Sequence, residues 1–168
     1  MFDMGRVFRV KFITHIAQFE RGRKHMIEMG KQACAAKALE LHGRGFNCAQ
    51  AIACTFAEDV GIDEATAFKL TEGLGGGMGT HTETCGALSG ACAIIGCMTS
   101  DGPHNPTTKT HTYELVKQLV ARFSSQYEST VCSDLKGLTG NLPKRSCDDY
   151  IEDAALMTYD LLCDIQQR

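Results

Sequence analysis

The stretch Gly73-Leu74-Gly75-Gly76-Gly77-Met78-Gly79-Thr80-His81-Thr82-Glu83-Thr84-Cys85-Gly86-Ala87-Leu88-Ser89-Gly90 decides how the rest of the chain is read. Its first part is a flexible glycine run. Its second part opens a helix expected over residues 84–98, in which Gly86 and Gly90 stand four apart among Ala87, Ala91, Ala93 and Cys97. Two glycines cost such a helix about 1 kcal/mol each in propensity, and close approach of a neighbouring backbone is the expected return. Cys85 falls in its first turn, where outward N–H groups and the positive end of the helix dipole favour a thiolate over a thiol.

Helical patterns lie on both sides. Residues 24–42 are good helix formers with apolar positions at Ile27, Leu39 and Leu41, ended by Gly43-Arg44-Gly45. Asn47 is a candidate N-cap for a helix over 48–60 that stops at Gly61. Cys48, Ile52 and Phe56 recur every four residues, so Cys48 begins the buried stripe of that helix and also meets the helix-terminal field. Asp63 caps a third helix over 64–72, and Asp101-Gly102-Pro103-His104-Asn105-Pro106 is a loop. The longest helix is expected over 107–129, with Leu115, Leu119, Phe123 and Tyr127 on one face and Cys132 at its closing turn. Ser146 and Asp149 read as the capped start of a last helix carrying Tyr150, Ala154, Thr158, Leu161 and Ile165. No period-two run of β-branched residues occurs. The predicted fold is therefore all-α, a compact bundle of about five to six helices with the glycine-rich loop between helices. Residues 1–25 read as an N-terminal extension and residues 26–168 as a single helical domain. A mitochondrial-type targeting segment fits the extension poorly, because Asp3 and Glu20 intrude.

Composition narrows the function classes. A chain of 168 residues can bury a core without disulfide staples, and 43% hydrophobic with 22% charged residues is ordinary for a globular protein. The net charge of -3 suggests neither nucleic acid nor an anionic membrane as a partner. No apolar run approaches the ~18–20 residues of a transmembrane segment. The glycine run fits neither a P-loop nor a dinucleotide fingerprint, which argues against nucleotide binding.

Nine cysteines are the abnormal quantity. Without a secretory signal at the start, the expected setting is cytoplasmic, where cysteines more often bind metals or carry redox chemistry than form structural bridges. Cys48, Cys85 and Cys147 occupy predicted first turns and Cys132 a chain turn, whereas Cys34, Cys54, Cys92, Cys97 and Cys163 fall in helix interiors and read as small buried hydrophobes. Cys92 shares a helix face with Cys85 at a spacing of seven. His81 and Glu83 precede Cys85 closely, and an imidazolium there would favour its thiolate, although a solvated loop histidine is the plainer reading. His15, His25, His42, His104 and His111 show no partners and read as surface groups.

Asn47-Cys48-Ala49-Gln50-Ala51, the glycines from Gly73 to Gly79, Cys85-Gly86-Ala87-Leu88-Ser89-Gly90, Cys132 with Leu135-Lys136-Gly137-Leu138, and Cys147 carry a resemblance. Over residues 26–165 the chain resembles the redox-active C_GCAxxG_C_C family, named for four cysteines in this order and carrying a Cys-Gly-Ala-x-x-Gly motif. The resemblance implies a small helical protein with four redox-active cysteines, often encoded near transporter genes. That family is similar in turn to the C-terminal part of split-Soret cytochrome c, where cysteines hold an iron–sulfur cluster. The chain departs from the pattern in its N-terminal extension and its five further cysteines. It has no Cys-x-x-Cys-His, so covalent c-type haem is not expected.

Residues and resemblance together support two mechanisms. In one, Cys48 or Cys85 attacks as a thiolate and another of the four resolves it as a disulfide, the chemistry of a thiol–disulfide oxidoreductase working with a redox partner protein or a small thiol. Asp148 and Asp149 oppose a thiolate at Cys147 and suit it to the resolving role. In the other, Cys48, Cys85, Cys132 and Cys147 bind an iron–sulfur cluster or another metal, tuned by N–H groups of the helix starts. Separations of 36, 46 and 14 intervening residues lack the close ligand pairs of a zinc site. A third class is a non-catalytic accessory or sensor module associated with a transporter. A homodimer is compatible with all three.

Overall fold

The structure, a computed structural model, describes residues 25–140 and 145–166, Ile27 excepted. Their regular structure is helical throughout, as the absence of any alternating pattern required: α1 (Lys31–Gly43), α2 (Cys48–Phe56), α3 (Glu64–Thr71), α4 (Gly86–Thr99), α5 (Lys109–Tyr127), α6 (Cys132–Leu135) and α7 (Cys147–Gln166). The one extended pairing among the described residues is an antiparallel bridge between Thr84 and Val131.

The fold is built around α2. Asn47 caps it: its Oδ1 accepts the N–H groups of Ala49 and Gln50 at 3.0 and 2.9 Å, and Gln50 Oε1 accepts the Asn47 N–H at 3.0 Å. This reciprocal pair satisfies donors that the first turn would otherwise leave unpaired. Every residue from Ala49 to Phe56 is buried, and α1, α3, α4 and α7 all pack on the helix. A helix that is apolar all round belongs inside a core. Gly86 and Gly90 of α4 make its close contact with α2 possible: a Cβ on Gly90 would lie 2.5 Å from the carbonyl oxygen of Ala49 and one on Gly86 2.4 Å from Cys48 Sγ. α2 then continues as a 3-10 turn over Glu58–Val60 and stops at Gly61, whose φ is 79°, so the expected span of 48–60 holds.

Elsewhere the boundaries shift. The helix expected over 24–42 is interrupted at Gly30, where φ is 80°. Met26, before that break, is fully buried. Cys132 does not close α5. It begins α6, because Glu128 turns the chain with a φ of 59° and Val131 pairs with Thr84. The cap of α7 forms as expected, with Asp149 Oδ2 accepting the N–H and hydroxyl of Ser146 at 2.8 and 2.7 Å. Residues 1–24 of the expected extension lie outside the described residues. His25 is not a free surface group, since its Nδ1 lies 3.0 Å from Oδ1 of the buried Asp59.

The glycine stretch forms a tight structure of its own. After a 3-10 turn at Glu72–Leu74, the segment Gly75–Met78 coils with Gly76 and Gly77 both at a φ of 57°, the left-handed region open cheaply only to glycine. Gly77 must also be small, because a Cβ there would lie 2.7 Å from Cys132 Cβ and 2.9 Å from the Glu83 carbonyl oxygen.

Candidate functional site

Helix starts converge on one place. Cys48 and Cys147 are the first residues of α2 and α7, Cys132 is the first of α6, and Cys85 immediately precedes α4. Hydrogen bonds hold these ends together: Cys85 N–H donates to the Thr130 carbonyl at 2.7 Å and Cys132 N–H to the Glu83 carbonyl at 2.9 Å. Tyr150 on α7 donates its hydroxyl to the Leu135 carbonyl at 3.0 Å and so anchors α6. All four cysteines line a cavity of about 190 Å³, walled further by Asn47, Gly76, Leu135 and Tyr150 and bearing His42 and Lys136. Cys85 and Cys132 are each 6% exposed, while Cys48 and Cys147 are half-buried.

Cys48 occupies the centre of this group electrostatically. A charge on it would raise the pKa of Cys85, Cys132 and Cys147 alike. Gly86 leaves the space its sulfur uses, since a Cβ on Gly86 would lie 2.4 Å from Cys48 Sγ.

The expectation of a favoured thiolate at Cys85 is overturned. Burial, and next the neighbouring Cys48, push its pKa up from 9.0 to about 12. The N–H groups of Ala87 and Leu88 pull the other way, but they make no full capping hydrogen bond to the side chain. A helix end carries roughly half a charge, and at so buried a sulfur that does not offset the desolvation of a thiolate. Burial also raises Cys132 and Cys147, against the lowering effect of Lys136 on each. Asp148 adds to the rise at Cys147, as its place in the sequence suggested.

The histidines differ from expectation in a telling way. His81 pairs with Cys132, its Nδ1 3.6 Å from Sγ, and not with Cys85. His42 is no isolated surface group: its Nδ1 lies 2.7 Å from Asp148 Oδ1 while the residue lines the thiol cavity. His104 and His111 are exposed. Lys136 stands four residues after Cys132 in the sequence, but nothing local marks His42 as a neighbour of the cysteines.

The five remaining cysteines stay apart from the cavity lining. Cys34 and Cys54 are buried hydrophobes as expected, with pKa values that burial pushes up to about 11. Cys97 is exposed instead, and Cys92 and Cys163 are half-buried. All nine cysteines are free thiols. Four sulfurs are the donor set of an iron–sulfur site, but among the described residues no three His, Cys, Asp or Glu side chains are grouped to hold a metal ion. As placed, the residues do not fit a metal centre.

The pattern of the family described as "Putative redox-active protein (C_GCAxxG_C_C)" matches residues 46–161. The chain belongs to this family. The matched span contains Cys48, Cys85, Cys132 and Cys147 and every other cavity residue named above except His42. No curated protein and no solved structure matches the chain. Among the described residues, no helix is long and apolar enough to cross a membrane.

Proposed function

We propose that this family member passes electron pairs by thiol–disulfide exchange, with Cys48 attacking and Cys85 resolving. The observation that carries the reading is the convergence of four cysteines on one cavity of about 190 Å³, with Cys48 Sγ pressed into the space at Gly86. Cys48 is half-buried, so a substrate sulfur can reach it. Cys85, almost fully buried in the same cavity, is shielded from substrate and serves in the second step. Cys48 sulfur bonds to one sulfur of a disulfide substrate and the other leaves as a thiol. Cys85 then attacks Cys48, releasing the second thiol and leaving a Cys48–Cys85 disulfide. Cys132 and Cys147 line the same cavity and serve as the next pair in the relay.

Anaerobic protein titrated with glutathione disulfide tests this. The expected result is loss of thiols in pairs, with peptide mapping placing the bond between Cys48 and Cys85, and no such loss in Cys48→Ser. Unchanged thiol content in the wild-type protein would sink the reading. A brown protein with stoichiometric iron and acid-labile sulfide would replace it with a cluster-bearing electron carrier.

A further inference from the structure

We propose that His42 and Asp148 form the proton-carrying dyad of the thiol cavity, an inference that rests on the exchange chemistry proposed above. The need comes from the cavity itself. Burial holds Cys85, Cys132 and Cys147 in the thiol form, whereas only a thiolate attacks a disulfide. A base on the cavity would take the proton that an attacking thiol gives up.

His42 is that base. It lines the same cavity as Cys48, Cys85 and Cys147. Asp148 Oδ1 lies 2.7 Å from Nδ1; a neutral ring that donates its Nδ1–H to this carboxylate has Nε2 as its proton acceptor. No partner to Nε2 occurs among the described residues, and the His42 side chain is 30% exposed, so the proton can exchange with water. The helix termini assist: His42 lies in the last turn of α1 and Asp148 in the first turn of α7, each end matching the charge its residue takes when the proton is held. Lys136, which follows α6, lines the same cavity, and His81 Nδ1 lies 3.6 Å from Sγ of the cavity residue Cys132.

The steps balance. As Cys48 attacks a disulfide sulfur, its S–H proton passes to His42 Nε2 and the new S–S bond forms. The substrate S–S bond breaks, and the departing thiolate takes the proton back from the imidazolium. Cys85 then attacks Cys48, delivering its own proton through His42 to the second departing sulfur. Two electrons and two protons leave the Cys48–Cys85 dithiol, and one disulfide becomes two thiols.

The rate of thiol loss to glutathione disulfide, followed by rapid mixing from pH 5.5 to 8.5, tests the dyad. His42→Gln should lower the rate at neutral pH by about 100-fold, remove the histidine limb of the pH profile, and regain rate with added imidazole, while the final number of thiols lost stays at the wild-type value. Asp148→Asn, on a side chain that is 67% exposed, should shift the same limb with a smaller loss. A wild-type rate and pH profile in both variants would overturn the dyad yet leave the exchange reading intact. Slowing without imidazole rescue or a changed profile would reduce the pair to a clamp between α1 and α7. Absence of disulfide in the wild-type protein would remove both proposals.

Discussion

Gly86 stands where one methyl group would strike Cys48: a Cβ built on it meets Cys48 Sγ at 2.4 Å and the Leu74 carbonyl oxygen at 3.0 Å. The glycine that weakens α4 is what admits the central sulfur. Gly86→Ala should destabilise the protein by about 1–3 kcal/mol through overpacking and slow formation of the Cys48–Cys85 bond. Gly96→Ala on the same helix, where nothing lies within 4 Å, should instead stabilise by about 0.5–1 kcal/mol. Urea denaturation of the two variants measures the contrast; equal effects would disprove the close approach.

Alkaline pH should weaken the fold. The unfolded chain releases the Cys85 proton near 9.0, and the folded chain holds it to about 12. The contribution to stability is complete below pH 9.0 and is lost as pH rises toward 12. Cys34, Cys54 and Cys92, each pushed up to about 11, act in the same direction. Melting temperature should fall above pH 9.0 with a shallower slope in Cys85→Ala, and iodoacetamide at neutral pH should label Cys85 only after unfolding.

Tyr150 joins two cysteine-bearing helices through one hydroxyl, which donates to the Leu135 carbonyl at 3.0 Å and accepts the Arg145 N–H at 3.1 Å. Tyr150→Phe leaves a buried carbonyl unpaired and should cost about 1–3 kcal/mol. Alkylation of Cys132 should quicken as α6 loosens. An unchanged alkylation rate would show that Tyr150 does not hold α6 in place.

Asn47 both caps α2 and, through Nδ2, donates to the Glu72 carbonyl at 2.9 Å. Asn47→Ala should cost about 1–2 kcal/mol. Asn47→Asp keeps the capping oxygen and loses only the link to Glu72, so it should retain most of the stability. Thermal melts of the pair separate the cap from the link.

Much of the architecture is legible along the chain. Asn47, Asp63 and Ser146 announce helix starts because a cap is made with N–H groups two or three residues ahead. Leu115, Leu119, Phe123 and Tyr127 announce a buried face because helical spacing repeats within a turn. Gly30 shows the limit: good helix formers flank it on both sides, and only its left-handed backbone in the packed structure divides them. Cys132 shows another, since its N–H goes to Glu83, far back in the chain, and that bond sets the start of α6.

The sequence by itself determined an all-helical protein with Cys48, Cys85 and Cys147 at or beside helix starts, because caps, periodicity and breakers act over a few residues. Tertiary structure alone decided what those thiols are. Burial by neighbours from other segments turned Cys85 from an expected thiolate into a thiol held to about 12. The pairing of His42 with Asp148, 106 residues along the chain, set an imidazole on the cavity that the four cysteines line. Desolvation and charge pairing depend on what surrounds an atom in space, and chain folding brings those surroundings from segments that local sequence does not connect.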